Sequence, residues 1–223
     1  MTKYNLLLVA HPDDEAIFFG GLLQVYRRKP WKVICVTDGN ADGHGDLRKQ
    51  HLFSSCQQMR IKNVEMWDFP DRYEKRLDLE KLISRLKQES PSEVYTHGIL
   101  GEYGHPHHQD VCLAAHRAYP KGIPVWSVAY NCFAEKVFRI PRPVYNRKCE
   151  ILANTYLSET QRFARFLPSY NHEGYSRISI EEVETVYEFL LGGPLPKPEK
   201  LKNYGWFIPY LEEFRRQIYE RPF

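Results

Sequence analysis

Residues 4–10, YNLLLVA, form a nearly unbroken apolar run that ends at His11-Pro12. A run of this kind predicts a strand buried on both faces, as in a parallel sheet. Apolar positions then recur at Ile17, Leu22, Val25 and Tyr26, which predicts a helix over residues 15–28. Further apolar runs predict strands at 31–37, 64–67, 93–96 and 125–130, with helices at 47–60, 77–87 and 107–119 between them. The Gly- and Asp-rich residues 38–46 read as a loop. This alternation predicts an α/β, Rossmann-like fold with a mainly parallel sheet and helices on both faces.

After about Ala134 the rhythm changes. Residues 137–140 suit an edge strand, because Pro141 and Pro143 stop further pairing. Residues 145–166 read as largely helical, 168–175 as loop, and 180–191 as a helix with Ser179 as N-cap. Residues 192–200 are rich in Pro and Gly and break structure, and 210–218 suit a last amphipathic helix. With no repeat and no low-complexity linker, we expect one domain over residues 1–223. Residues 1–133 would form its α/β core, and 134–223 an edge strand and a C-terminal helical extension.

Composition narrows the partners. The net charge is +3 and the basic residues are dispersed, apart from Arg27-Arg28-Lys29. That run closes a predicted helix, where cations suit the macrodipole. Without a basic stripe, no nucleic-acid partner is expected. The five Cys are scattered with no CxxC pair, which suits reduced thiols in a reducing compartment. Residues 6–10 are too short for a signal-peptide core, and nothing approaches the ~20 apolar residues of a membrane span. A soluble cytoplasmic protein is the expectation; oligomeric state is left open.

Two clusters carry chemistry. His11-Pro12-Asp13-Asp14-Glu15 follows the first strand, and ligands of open parallel sheets bind at the carboxyl ends of strands. His11 and Asp14 are good ligands for a divalent metal such as zinc, and Asp13 beside them can serve as a base. Either Asp can equally well cap the following helix. Tyr103-Gly104-His105-Pro106-His107-His108 sits at a second strand-to-helix turn, with three His in four residues. Two His and one Asp from separate turns would leave a fourth metal position open for water, as in a catalytic zinc site.

These two motifs strongly resemble the PIG-L/LmbE-like family of zinc-dependent de-N-acetylases, over about residues 5–130. The resemblance implies Zn2+ held by His11, Asp14 and His108, with Asp13 as general base. It implies His105 as oxyanion donor or proton shuttle, assisted by Tyr103. Arg48 and Asp71 match residues that contact the sugar. This chain has His51 where the family pattern has Glu, and His107 where many relatives carry an Asp that orients the catalytic His. His107 is placed with the substrate side of the site, and its ring is expected within hydrogen-bond reach of His105. Thr37-Asp38-Gly39 reads as a structural turn beside the metal, and Tyr170-Asn171-His172 as a candidate pocket mouth.

The implied activity is hydrolysis of an N-acetyl group from an N-acetylglucosamine-type sugar or its conjugate, a small molecule or oligosaccharide. Alternatives are a metal-dependent hydrolase of another N-acyl amine and a non-catalytic sugar-binding relative. A dinucleotide-binding module is disfavoured, because the first turn lacks the glycine fingerprint and Gly43-His44-Gly45 lacks its third Gly.

Overall fold

A computed structural model describes residues 3–120, 122–130, 132–160, 171–207 and 210–211. Its strands are β1 Asn5–Val9, β2 Trp31–Thr37, β3 Asn63–Phe69, β4 Glu93–Thr96, β5 Val125–Val128, β6 Lys136–Arg139 and β7 His172–Ser176. Its α-helices are α1 Asp14–Ile17, α2 Gly20–Val25, α3 Gly45–Gln58, α4 Leu79–Leu86, α5 Gly101–Gly104, α6 Pro106–Ala118, α7 Arg142–Glu150, α8 Leu157–Thr160 and α9 Ile180–Leu190. The fold is α/β with mainly parallel strands. Two compact units divide it: Met1–Arg72 with Val137–Glu173, and Tyr73–Lys136 with Gly174–Phe223.

In the first unit β1, β2 and β3 run parallel, with Asn5 opposite Trp31 and Lys32 opposite Asn63. Every residue of β1 and β2 is buried, which is why their sequences are continuous rather than alternating. Thr37 locks the two carboxyl ends together. Its N–H and its hydroxyl both donate to the Ala10 carbonyl, at 3.0 and 2.8 Å. The turns beginning at His11 and Asp38 therefore leave the sheet side by side.

The helix expected over 15–28 is two helices, α1 and α2, broken at Phe18–Phe19. Gly20-Gly21 are poor helix formers. The start of α2 is instead held by Glu173, whose carboxylate accepts from Gly21 N–H at 2.7 Å and Leu22 N–H at 2.8 Å. Buried Lys148 of α7 neutralises that carboxylate at 2.7 Å. A Cβ on Gly21 would lie 2.5 Å from Ile140 Cδ1, so the close approach requires glycine. The helical stretch expected over 145–166 is, in its described part, α7, a π-helical turn at Ile151–Thr155, and α8. Residues 161–166 lie outside the described residues.

In the second unit β4 and β5 pair in parallel, and β7 runs antiparallel to β5 with Ser127 opposite Ser176. Within the segment expected as loop, residues 168–170 lie outside the described residues, and His172–Ser176 is a strand. HEGYS has little local strand signal, and pairing with β5 decides its state. The strand expected over 137–140 is β6, Lys136–Arg139, whose residues from Val137 on belong to the first unit. α9 begins where expected, with Ser179 Oγ accepting from Glu182 N–H at 3.2 Å. α6 and α9 share a core that includes Leu113, Val183, Val186 and Phe189. Of the last expected helix only Tyr210 and Leu211 are described. All five Cys are free thiols. Among the described residues no helix is long and apolar enough to cross a membrane.

Candidate active site

In the first unit, β1 delivers His11 directly into a tight turn. Asp13 occupies the N-cap position of α1 yet makes no side-chain capping bond. Its backbone has φ 113° and ψ −34°, a conformation that residues with a Cβ rarely adopt. Asp14 folds back so that Oδ2 accepts the His11 N–H at 2.7 Å. The capping role open to either Asp from sequence is taken up by neither side chain.

The ring of His11 lies between two carboxylates, with Nδ1 3.5 Å from Asp14 Oδ2 and Nε2 3.4 Å from Asp71 Oδ1. Burial opposes its charge, but Asp71 and then Asp14 outweigh it and raise the imidazolium pKa to about 10. Asp13 is pushed well above the ordinary carboxylate range, first by burial and then by Asp14, while Arg48 and His11 act the other way.

Arg48, in the first turns of α3, joins the parts. Nη2 donates to the Pro12 carbonyl at 3.0 Å and to Asp13 Oδ2 at 3.5 Å, and Nη1 reaches Asp71 Oδ2 at 3.4 Å. Asp71 is itself tied down, its N–H donating to Asp38 Oδ1 at 3.0 Å. Arg48 Nε faces Glu159 Oε1 at 3.7 Å, and His51 Nδ1 meets the same oxygen at 3.3 Å. A third carboxylate near Arg48, that of Glu159, thus comes from α8, and His51 contacts it. Asp42, His44, Leu47, Arg48, Ser158 and Glu159 line a cleft of about 180 Å³. Beneath the turn, Glu15 is fully buried. Its Oε2 accepts the Asp13 N–H at 3.1 Å, and its Oε1 accepts from Ser55 Oγ and from the Tyr156 hydroxyl.

In the second unit, β4 ends at Thr96 and His97 follows. The short α5 is not a regular turn: Gly101 and Gly104 have positive φ, and Glu102 has φ 54° and ψ −74°. This aims the Glu102 carboxylate inward. Oε2 meets His97 Nδ1 at 3.0 Å and His108 Nδ1 at 2.5 Å, and Oε1 accepts the Gly98 N–H at 2.8 Å. Burial would raise its pKa, but His97 and then His108 hold it down to about 2. With Nδ1–H of His108 given to Glu102, Nε2 carries the ring's lone pair. This carboxylate–imidazole arrangement is the one that orients metal-ligating histidines.

His105 caps α6, its Nδ1 accepting the His107 N–H at 3.2 Å. Its ring stacks on His108 at 4.7 Å between centroids, and Tyr103 and Tyr73 meet it edge-on. His107 is fully buried, and its Nε2 bonds the Lys75 carbonyl at 2.9 Å. Residues 105 and 107 meet both through the backbone amide of His107 and through their rings, whose centroids lie 5.2 Å apart, and the His107 Nε2 turns to the Lys75 carbonyl. Asp110 braces the same helix start, accepting from Arg76 Nη1, Leu77 N–H and the Tyr187 hydroxyl.

Buried side chains suited to metal ligation are His11, Asp14 and Asp71 in the first unit, and His97, His105, His107 and His108 in the second. Sequence reasoning missed Glu102, His97, Tyr156 and Glu159. His97 directly follows a predicted strand, which was a usable signal. Tyr156 and Glu159 had none, since their partners lie over a hundred residues away.

Residues 6–119 match the PIG-L family, described as GlcNAc-PI de-N-acetylase. Uncharacterized protein L374 of Acanthamoeba polyphaga mimivirus is 30% identical over 176 residues, covering 70% of this chain and 77% of that protein. The N-acetylglucosaminyl-phosphatidylinositol de-N-acetylase of Bos taurus is 32% identical, over 54% of each chain. The probable N-acetyl-alpha-D-glucosaminyl L-malate deacetylase 2 of Bacillus subtilis is 30% identical, over 50% of this chain and 58% of that one. The chain thus spans about half the length of these two curated deacetylases. Among solved structures, N,N'-diacetylchitobiose deacetylase from Pyrococcus horikoshii shares the fold. Its TM-score is 0.64 at 17% identity, covering 80% of this chain and 84% of that one.

Proposed function

Because the chain belongs to the PIG-L family, we propose that it is a zinc-dependent de-N-acetylase of an N-acetylglucosamine-type sugar or conjugate. The observation that carries this reading is Asp13. It is a buried carboxylate freed from capping, held in a costly backbone conformation, with its proton affinity raised. A general base that must work near neutral pH has these properties.

His11, Asp14 and His108 would hold the metal, and the donor set fits it: one imidazole between carboxylates and one oriented by Glu102. Bound there, zinc supplies Lewis acidity toward the amide carbonyl and a lowered pKa for water. Asp13 takes the proton of the attacking water. His105 accepts at Nδ1, so its neutral ring carries the proton on Nε2 and donates to the developing oxyanion. One such donor is worth about 3 kcal/mol. Tyr103, edge-on to His105 and His108, assists from the same turn. Asp13 returns its proton to the departing amine, and the products are acetate and a free amino sugar.

Arg48 and Asp71 bind sugar hydroxyls in this reading, and the cleft beside Arg48 has room for a further portion of the substrate. The names of the two curated deacetylases share an N-acetylglucosaminyl unit and differ in what is attached to it, which supports the sugar and leaves its conjugate open. The test is amine release from N-acetylglucosamine conjugates by zinc-loaded protein, compared with Asp13→Asn. The variant should keep stoichiometric zinc and lose most turnover. Zinc binding with no amine release from any N-acetylated sugar would instead favour a sugar-binding relative.

A further inference from the structure

Tyr156 lies outside the family-matching residues 6–119, at the end of the π-helical turn Ile151–Thr155. Its N–H reaches back to the Ile151 carbonyl at 3.3 Å, the wide i→i+5 closure. One extra residue in a helical turn rotates the residues after it by about 100° relative to a continuous α-helix. The turn delivers Tyr156 into the interior, fully buried, with its hydroxyl 2.7 Å from Glu15 Oε1.

Glu15 is a fully buried carboxylate with three donors from three segments. Tyr156 and Ser55 Oγ serve Oε1, and the Asp13 N–H serves Oε2 at 3.1 Å. The Asp13 carbonyl is also engaged, by the N–H groups of Ala16 and Ile17 at 2.9 Å each. A backbone conformation such as that of Asp13 costs about 1–3 kcal/mol and persists only when its surroundings overdetermine it. The Glu15 carboxylate is the side chain that accepts the Asp13 amide, and Tyr156 fixes that carboxylate from the far side.

We propose that Tyr156 is a positioning residue for Asp13, acting through the Glu15 carboxylate to hold the strained turn that aims the base. This rests on Asp13 being the base, as proposed above. The segment after the family region is then part of the catalytic apparatus of the first unit.

The test is Tyr156→Phe, which removes one hydroxyl and keeps the ring. Turnover should fall about tenfold, since small misplacements of a reacting group are costly. KM and bound zinc should stay unchanged. Amide hydrogen exchange at Asp13 should speed up about tenfold, while the amides of β1 keep their protection. In an Asp13→Asn background the same change should have no further effect on turnover. Unchanged turnover, unchanged exchange at Asp13, or an equal loss in the Asp13→Asn background would each overturn the proposal. If Tyr156→Phe fails to fold, Ser55→Ala removes the other donor from the same oxygen and must give the same pattern. Full turnover by Asp13→Asn alone would sink the base assignment and the catalytic purpose with it; exchange at Asp13 would still report whether the clamp exists.

Discussion

At the scale of single residues, the second unit's chemistry is organised by Glu102. One carboxylate orients His97 and His108 and accepts a backbone amide as well. Such partners of metal-ligating histidines typically govern affinity by about 10–100-fold. Glu102→Gln should therefore weaken zinc binding by about that factor, read by competition with a chelating dye; unchanged affinity would remove Glu102 from the metal site. The observed cap and the proposed donor role of His105 are separable, because Nδ1 caps α6 while the donor role is assigned to Nε2. Replacement by Ala should cost about 1 kcal/mol of stability through the lost cap and about a hundredfold in turnover. Replacement by Asp should restore the cap and the melting temperature but not the rate. A variant in which rate and stability recover together would refute this division.

At the scale of elements, the first unit depends on ties between segments far apart in sequence. α2 begins on the carboxylate of Glu173, which α7 neutralises through Lys148. Removing one partner of a buried ion pair leaves the other uncompensated. Lys148→Met should destabilise the protein by roughly 3 kcal/mol, measured by denaturant unfolding. A near-neutral result would mean that the two amide donors alone satisfy Glu173. The break between α1 and α2 follows from the same tie: a continuous helix would have to give up the carboxylate that now caps it.

For the whole molecule, pH reports on three buried groups. Glu15 is raised from its ordinary 4.5 to about 7 by burial, against Ser55 and Tyr156. Between these values the folded chain holds a proton that the unfolded chain has lost, so stability falls as pH rises through that window. His11 is raised from 6.5 to about 10, and its contribution is full below 6.5 and lost on the way to 10. Glu102 is lowered to about 2 from its ordinary 4.5, and its contribution, present above 4.5, is lost only in strong acid. Metal-free protein should accordingly lose stability from about pH 5 upward. In the proposed site zinc would displace the proton of His11, so it should raise the melting temperature more at about pH 8.5 than at about pH 5.5. Equal stabilisation at both pH values would count against His11 as a ligand.

What the sequence determined by itself was the set of strands buried on both faces, since only a continuous apolar run can fill β1 and β2. It also placed the two ligand-rich motifs, because His-Pro-Asp-Asp-Glu and His-Pro-His-His follow strands and leave the sheet at carboxyl ends. The helix over α6 and its capped neighbour α9 were legible for similar reasons, through local periodicity and a local Ser. Only the tertiary structure decided the strand state of HEGYS, the break at Phe18–Phe19, and the engagement of the His107 ring by Lys75. It alone decided that Glu102 would face two histidines, and that Tyr156 and Glu159 would reach Glu15 and Arg48. These are contacts between polar groups distant in the chain. They leave no periodic trace in sequence, because a hydrogen bond between residues far apart in the chain imposes no pattern on the neighbours of either one.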